Sequence, residues 1–269
     1  MDTPEDPRLA EKLKTDKPHS ARVWNYLLGG RDNYSADRMA GDMILDTFPG
    51  IARIARLQRY FLARAVRYLA GEAGIRQFLD VGTGLPTVDN THEVAQRVAP
   101  ECRVVYVDND PLVLVHANAL LTSSSEGSCD YIDADVRDPE SILEGAARTL
   151  DFSRPIALTL LGTMGQLPDS DDPWAIVARL MDRLPPGSHL ALSDGTDTNK
   201  ALNEAIAAYN DNSASEYHLR GHERIVRFFD GLELLEPGVV PTTDWRPELA
   251  EPDGGPDGVD ALCGIARKP

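Results

Sequence analysis

The chain has 269 residues, 42% hydrophobic and 26% charged, enough for one large α/β domain or two small ones with a substantial core. Its net charge of −16 repels phosphate backbones, so nucleic acid and anionic membrane surfaces are not expected partners. No apolar run approaches the ~20 residues of a membrane span, the acidic start at residues 1–7 is no signal peptide, and the three scattered cysteines Cys102, Cys129 and Cys263 suit free thiols, so a cytoplasmic protein is expected.

Residues 1–19 are rich in Pro, Asp and Lys and read as a surface-draped arm. Ser20 reads as the cap of a helix over 21–28, closed by Gly29-Gly30. Helical spacing puts Arg22, Asn25 and Tyr26 on one face, Val23 and Leu27 on another. Ser35 reads as the cap of a second helix to about Asp46, broken by Phe48-Pro49-Gly50. From Ile51 to Leu69 apolar residues recur at helical spacing. Between them Arg53, Arg56, Arg59, Arg64 and Arg67 read as a solvated face.

After Gly74 strands and helices alternate. Strands are expected at 78–81, 103–108, 130–134, 155–161, 189–193, 232–235 and 261–266, with helices near 91–99, 111–121, 139–149, 173–184, 198–210 and 221–230. Regular alternation predicts a parallel sheet with helices on both faces. The connection 241–260 has no helical pattern and suits an antiparallel hairpin at the sheet edge. The expected fold is α/β: a Rossmann-like, seven-stranded, mostly parallel sheet with its last strand antiparallel. An arm and helical cap over 1–73 precede the Rossmann domain of 74–269.

Ligands of such sheets bind beyond the carboxyl ends of the strands. The first strand ends in Asp80-Val81-Gly82-Thr83-Gly84, where spaced glycines let bare backbone approach a ligand. Asp108 ends the second strand and can accept both hydroxyls of a ribose. Asp135 and the Val136 amide follow the third and can read an adenine edge. Both NAD(P) and S-adenosylmethionine carry that adenosine. A dinucleotide fingerprint needs a third glycine opening straight into a helix, whereas here the loop runs Gly84-Leu85-Pro86-Thr87 and the helix cap is Asn90 with Glu93. The Asp80 carboxylate opposes a phosphate and suits an ammonium, which favours S-adenosylmethionine.

The runs Asp80-Val81-Gly82-Thr83-Gly84, Val107-Asp108-Asn109-Asp110-Pro111 and Ala134-Asp135-Val136-Arg137-Asp138 resemble successive motifs of class I S-adenosylmethionine-dependent methyltransferases. The segment from Ser20 to Tyr34, with Gly84-Leu85-Pro86-Thr87 and Asn90-Thr91-His92-Glu93-Val94-Ala95, resembles one actinobacterial methyltransferase family formerly catalogued as a domain of unknown function. The resemblance implies that Gly82 and Gly84 pass under the cofactor, Asp80 lies near its amino end, Asp108 holds the ribose, Asn109 flanks the adenine, and Asp135 with Val136 reads its edge. It further implies that the N-terminal helix is a lid, bringing Arg22, Tyr26, Asn33 or Tyr34 near the methionine carboxylate and sulfonium. Pro86 departs from the common loop.

Thr163, Met164, Gln166 and Asp194 follow later strands, and His92, His218 and His222 suit structural or surface roles. No metal-ligand spacing occurs, and the sequence names no catalytic base and no oligomeric state. Three readings remain open: methyl transfer to a small-molecule acceptor such as a secondary metabolite, a non-catalytic S-adenosylmethionine-binding module or sensor, and a NAD(P)-dependent oxidoreductase.

Overall fold

The computed structural model describes residues 13–120, 122–213, 215–248 and 259–269, apart from the side chains of 116–120. The sheet consists of β1 (Gln77–Val81), β2 (Arg103–Asp108), β3 (Ser128–Asp133), β4 (Ala157–Leu161), β5 (His189–Gly195), β6 (Glu233–Leu234), β7 (Val240–Pro241) and β8 (Ala261–Arg267). Its order is β3-β2-β1-β4-β5-β8-β6, with β7 also bonded to β8. β1 to β5 run parallel, and β8 returns antiparallel to β5 with Ser193 opposite Cys263.

The chain therefore builds outward from β1 through β2 to β3, then crosses back to place β4 on the other side of β1. A crevice opens at that reversal, above the carboxyl ends of β1 and β4. Central strands buried on both faces need apolar residues in both directions. Leu79 and Val81 join Ile142, Leu158 and Leu180 in one core, while Phe78 joins Phe61, Val66 and Val104 in the other.

Nine helices among the described residues flank the sheet and its upper rim. They are α1 (Ser20–Leu27), α2 (Ser35–Thr47), α3 (Ile51–Gly71), α4 (Thr91–Val98), α5 (Pro111–Leu120), α6 (Pro139–Ala146), α7 (Pro173–Arg183), α8 (Lys200–Asn210) and α9 (His222–Val226). α3 lays Phe61, Leu62, Val66 and Leu69 on the sheet and is the longest bridge between the N-terminal segment and the strands. α1 and α2 instead meet α8, where Val23, Leu27 and Ile44 share a cluster with Leu202 and Ile206 above the strand ends. Among the described residues no helix is long and apolar enough to cross a membrane.

Several expectations shift locally. Ser20 and Ser35 are the first helical residues and not the caps, which are His19 and Tyr34; the Tyr34 amide donates to Asp37 Oδ2 at 2.8 Å. Arg64 is not part of a solvated face: it is 3% exposed, with Nε donating to the Trp245 carbonyl at 3.0 Å and Nη2 to that of Thr242. The expected strand at 232–235 is two residues long, and a second stub, β7, follows Pro237, which has no amide for a ladder. The sheet thus counts eight strands where seven were expected. Within the connection 241–260, residues 249–258 lie outside the described set, as do residues 1–12 of the N-terminal arm.

Candidate functional site

A cavity of about 230 Å³ fills the crevice at the strand reversal, and the first three strands each deliver an acidic residue to its wall. Asp80, the fourth residue of β1, is 4% exposed. Its two carboxylate oxygens accept from the Thr91 hydroxyl at 2.6 Å and the Thr159 hydroxyl at 2.7 Å. Burial pushes its carboxyl above the usual range, while the two hydroxyls and then Arg59 pull it part of the way back. A cation reaching this carboxylate would complete a site that the two threonines only begin.

Gly82 and Gly84 follow with φ of +74° and +67°, a region that costs little only for glycine. Their surroundings differ. A Cβ on Gly82 would lie 2.3 Å from Thr163 Oγ1, whereas one on Gly84 would meet nothing within 4 Å. The Gly84 amide donates to Asp108 Oδ2 at 2.8 Å, and the Asp110 amide donates to Asp108 Oδ1 at 3.0 Å. Asp108 thereby clamps the loop after β1 to the end of β2. It is 8% exposed, and burial lifts its carboxyl while these two amides oppose the lift. Each oxygen keeps a lone pair for further donors, such as vicinal hydroxyls.

Asn109 Nδ2 donates to Asp135 Oδ2 at 3.1 Å, which joins the second and third strand ends. Asp135 Oδ1 accepts from the Arg137 amide at 2.9 Å, and the Arg137 guanidinium reaches across to Asp171 at 2.7 Å. Asp135, Val136 and Arg137 all line the cavity. The structure therefore brings together Asp80, Gly82, Gly84, Asp108, Asn109, Asp135 and Val136, all read from the sequence as one site.

It does not bring Arg22, Tyr26, Asn33 or Tyr34 to that cavity. Arg22 is 1% exposed; its guanidinium donates to Asp37 at 3.2 Å and to the carbonyls of Leu13 at 2.6 Å and Lys17 at 2.9 Å, and sits 5.4 Å from the Tyr34 ring centroid. Tyr26 bonds Asp42, and Asn33 donates to Asn25 Oδ1 at 2.9 Å. These four residues build the α1–α2 corner. The residues of α1 that line the cavity are Ser20, Ala21, Val23, Trp24, Asn25 and Leu27, with Leu28 just past its end.

One site residue went unread among the expected solvated arginines. Arg59 of α3 lines the cavity, donates through Nη2 to the Val88 and Asp89 carbonyls at 3.2 and 2.9 Å, and keeps its Nε buried without a partner. Burial pushes its guanidinium down, and Asp80 is the foremost group restoring it. No sequence signal separates Arg59 from the exposed Arg56 on the same helix.

Beyond β4, Thr163 Oγ1 donates to the Val81 carbonyl at 2.9 Å and Met164 is buried in the core, while Gln166 lines the cavity with Oε1 buried and unpartnered. Asp194 is 1% exposed beside Tyr217, a cavity-lining residue in the loop between α8 and α9 that the sequence does not single out. His92 is a buried partner of the Tyr106 hydroxyl at 2.8 Å, and His222 is exposed.

A family model described as S-adenosyl methyltransferase matches residues 6–269. Two solved structures are similar over nearly the whole chain. A DUF574 family protein from Streptomyces avermitilis is 43% identical with a TM-score of 0.90, covering 96% of this chain and 100% of its own. A candidate methyltransferase from Thermobifida fusca is also 43% identical, with a TM-score of 0.86 over 98% of this chain and 99% of its own. The plantazolicin methyltransferase BpumL, 11% identical with a TM-score of 0.52 over 97% and 99% of the two chains, shares the fold. No curated protein matches the chain.

Proposed function

Because this chain belongs to the S-adenosyl methyltransferase family, with S-adenosylmethionine as its cofactor, we propose that it moves the cofactor's methyl group to a small-molecule acceptor bound in the same cavity. The observation that carries this reading is the convergence of Asp80, Asp108 and Asp135 from three successive strands on one cavity. Their order along the wall matches the order of groups along the cofactor. Asp80 takes the methionine ammonium, and Arg59, the nearby cation with an unpartnered donor, takes the methionine carboxylate. Gly82 and Gly84 pass under the cofactor, Asp108 accepts from the ribose hydroxyls, and Asp135 with the Val136 amide reads the adenine edge flanked by Asn109.

Bound S-adenosylmethionine supplies a methyl group on an already activated leaving group, so the chain's task is alignment and exclusion of water. α1 and α2 serve that task as the cover, closing the cavity with Trp24 and Leu27 while Arg22 and Asp37 hold the corner rigid. The acidic net charge and three free cysteines favour a small metabolite as acceptor and a cytoplasmic setting.

Titration calorimetry with S-adenosylmethionine, S-adenosylhomocysteine and NAD tests the reading. Binding of the first two without the third is the expected result. Binding of NAD with no response to S-adenosylmethionine would overturn it.

A further inference from the structure

Past the cofactor loops the cavity changes character. Its walls there are Trp24 of α1 and Leu28 just past it, Ile54 of α3, Leu202 and Ile206 of α8, and Leu219. Among the polar groups that line the same cavity, one leads directly to a buried carboxylate. Tyr217 lines the cavity, and its hydroxyl donates to Asp194 Oδ1 at 2.7 Å, at the carboxyl end of β5. The same phenolic oxygen accepts from the Gly195 amide at 3.2 Å, which leaves one of its two lone pairs unused.

This pair is fixed from several sides. Asn210, the last residue of α8, donates to the Tyr217 carbonyl at 2.9 Å and accepts from its amide at 2.8 Å. The ring lies so close to Gly165 that a Cβ there would come within 2.3 Å of Tyr217 Cζ. Asp194 Oδ1 accepts a second bond from the Gly165 amide at 3.1 Å, yet Asp194 Oδ2 is buried with no partner. A buried carboxylate oxygen left unpaired is costly, and such sites persist where the group has work to do.

We propose that the acceptor is an aromatic small molecule carrying a phenolic hydroxyl, and that Tyr217 and Asp194 take the proton this hydroxyl loses. The proposal rests on the cavity being the site of methyl transfer. The acceptor hydroxyl donates to the unused lone pair of Tyr217. As its oxygen attacks the methyl carbon, the carbon–sulfur bond breaks and its electron pair returns to sulfur, which becomes a neutral thioether. The acceptor proton passes to Tyr217 Oη while the Tyr217 proton passes to Asp194 Oδ1. One methyl is transferred, one proton resides on Asp194, and water later removes it.

The chemistry of the relay selects the hydroxyl. Burial raises the Asp194 carboxyl to about 6, against the opposing pull of Tyr217, Arg220 and the Gly165 amide. A phenol near 10 loses its proton to such a group at a disadvantage of about four powers of ten. An aliphatic alcohol, close to water at about 16, faces about ten. Tyr217 and Arg220 are the titratable and charged groups that face Asp194 from the loop before α9; from the turn after β4 only the Gly165 amide does, and on β8 its register partner is Leu262. Asp260, on the same cavity wall, is directed to Asn199 Nδ2 at 2.9 Å.

The test uses the full chain with S-adenosylmethionine and 2-naphthol, with 2-naphthylmethanol and 2-naphthylamine as matched probes. Methyl transfer to 2-naphthol, absent with the alcohol, is expected to rise with pH through about 6 and to fall roughly a hundredfold or more in Tyr217→Phe and Asp194→Asn. S-adenosylhomocysteine affinity in both variants should stay within twofold of the parent, which shows that they fold, and Asp194→Asn should lose the pH profile. Equal rates in parent and variants overturn the relay. Transfer to 2-naphthylamine alone, or no transfer to 2-naphthol, overturns the acceptor class. Absence of S-adenosylmethionine binding overturns the reading beneath both and is seen separately.

Discussion

The Gly84 amide donates to Asp108 Oδ2 across 2.8 Å, so the loop after β1 is held by the same carboxylate that we propose as the acceptor for the cofactor ribose. On that proposal one side chain both holds the loop and binds the ligand. Asp108→Ala should weaken S-adenosylmethionine by about 1–3 kcal/mol, the cost of losing a charged hydrogen-bonding partner. Calorimetry reads this directly, and an unchanged dissociation constant would remove Asp108 from the ribose position.

The proposal sets Arg59 and Asp80 against opposite charges of the methionine end, and an experiment can separate them from Asp108. Arg59→Gln should weaken S-adenosylmethionine by about 1–3 kcal/mol while leaving 5′-methylthioadenosine, which lacks the amino and carboxyl groups, nearly unaffected. Asp108→Ala should weaken both ligands. If Arg59→Gln weakens the two ligands equally, Arg59 acts on the cavity's shape and not on the carboxylate.

The strands were legible because buried parallel strands read as apolar runs, and β2 occupies residues 103–108 as read. The strand-end residues were legible for the same reason, since the end of each run fixes what projects beyond it. Helix faces were not. Spacing puts Arg22, Asn25 and Tyr26 together but is silent on what they meet, and Arg22 meets Asp37 and three carbonyls of its own N-terminal segment. Arg64 finds its acceptors at Thr242 and Trp245, far along the chain, so it reads like any solvated arginine. Tyr217 lies in a loop with no periodicity, and only the fold carries it to the Asp194 carboxylate.

Arg22 and Asp37 are 1% and 0% exposed, so breaking the pair leaves an unbalanced buried charge. Arg22→Met should destabilise the chain by about 3–5 kcal/mol. Adding Asp37→Asn should return part of that loss. Urea unfolding of the single and double variants checks the coupling; strict additivity would show that Arg22 acts through its carbonyl contacts alone.

The Asp194 carboxyl, raised from 3.8 to about 6 by burial, makes the folded chain bind its proton more tightly than the unfolded one. A raised acid costs stability when ionised, so the penalty is absent below 3.8, grows with pH through this window, and is complete above about 6. The stability of the parent relative to Asp194→Asn should therefore fall by about 1–2 kcal/mol between pH 5 and pH 7.5. Unfolding curves at the two pH values measure it, and a difference that rises with pH would mean the carboxyl is not held up.

Gly82 and Gly84 share a left-handed backbone and differ in what lies beyond the missing Cβ. At Gly82 the added methyl meets the Thr163 side chain at 2.3 Å, and Thr163 is itself tied to the Val81 carbonyl, so neither group can retreat without breaking the β1–β4 junction. Gly82→Ala should therefore lose more stability than Gly84→Ala, which bears only the backbone penalty of about 1–2 kcal/mol. The methyl on Gly84 enters open space on the cavity wall, where a ligand would lie against bare backbone. Gly84→Ala should stay folded and weaken S-adenosylmethionine tenfold or more, a loss of about 1.4 kcal/mol. Thermal melts and calorimetry on the two variants separate a glycine needed by the fold from one needed by the ligand. The opposite pattern, with Gly84→Ala binding normally, would mean that the cofactor does not pass over this loop.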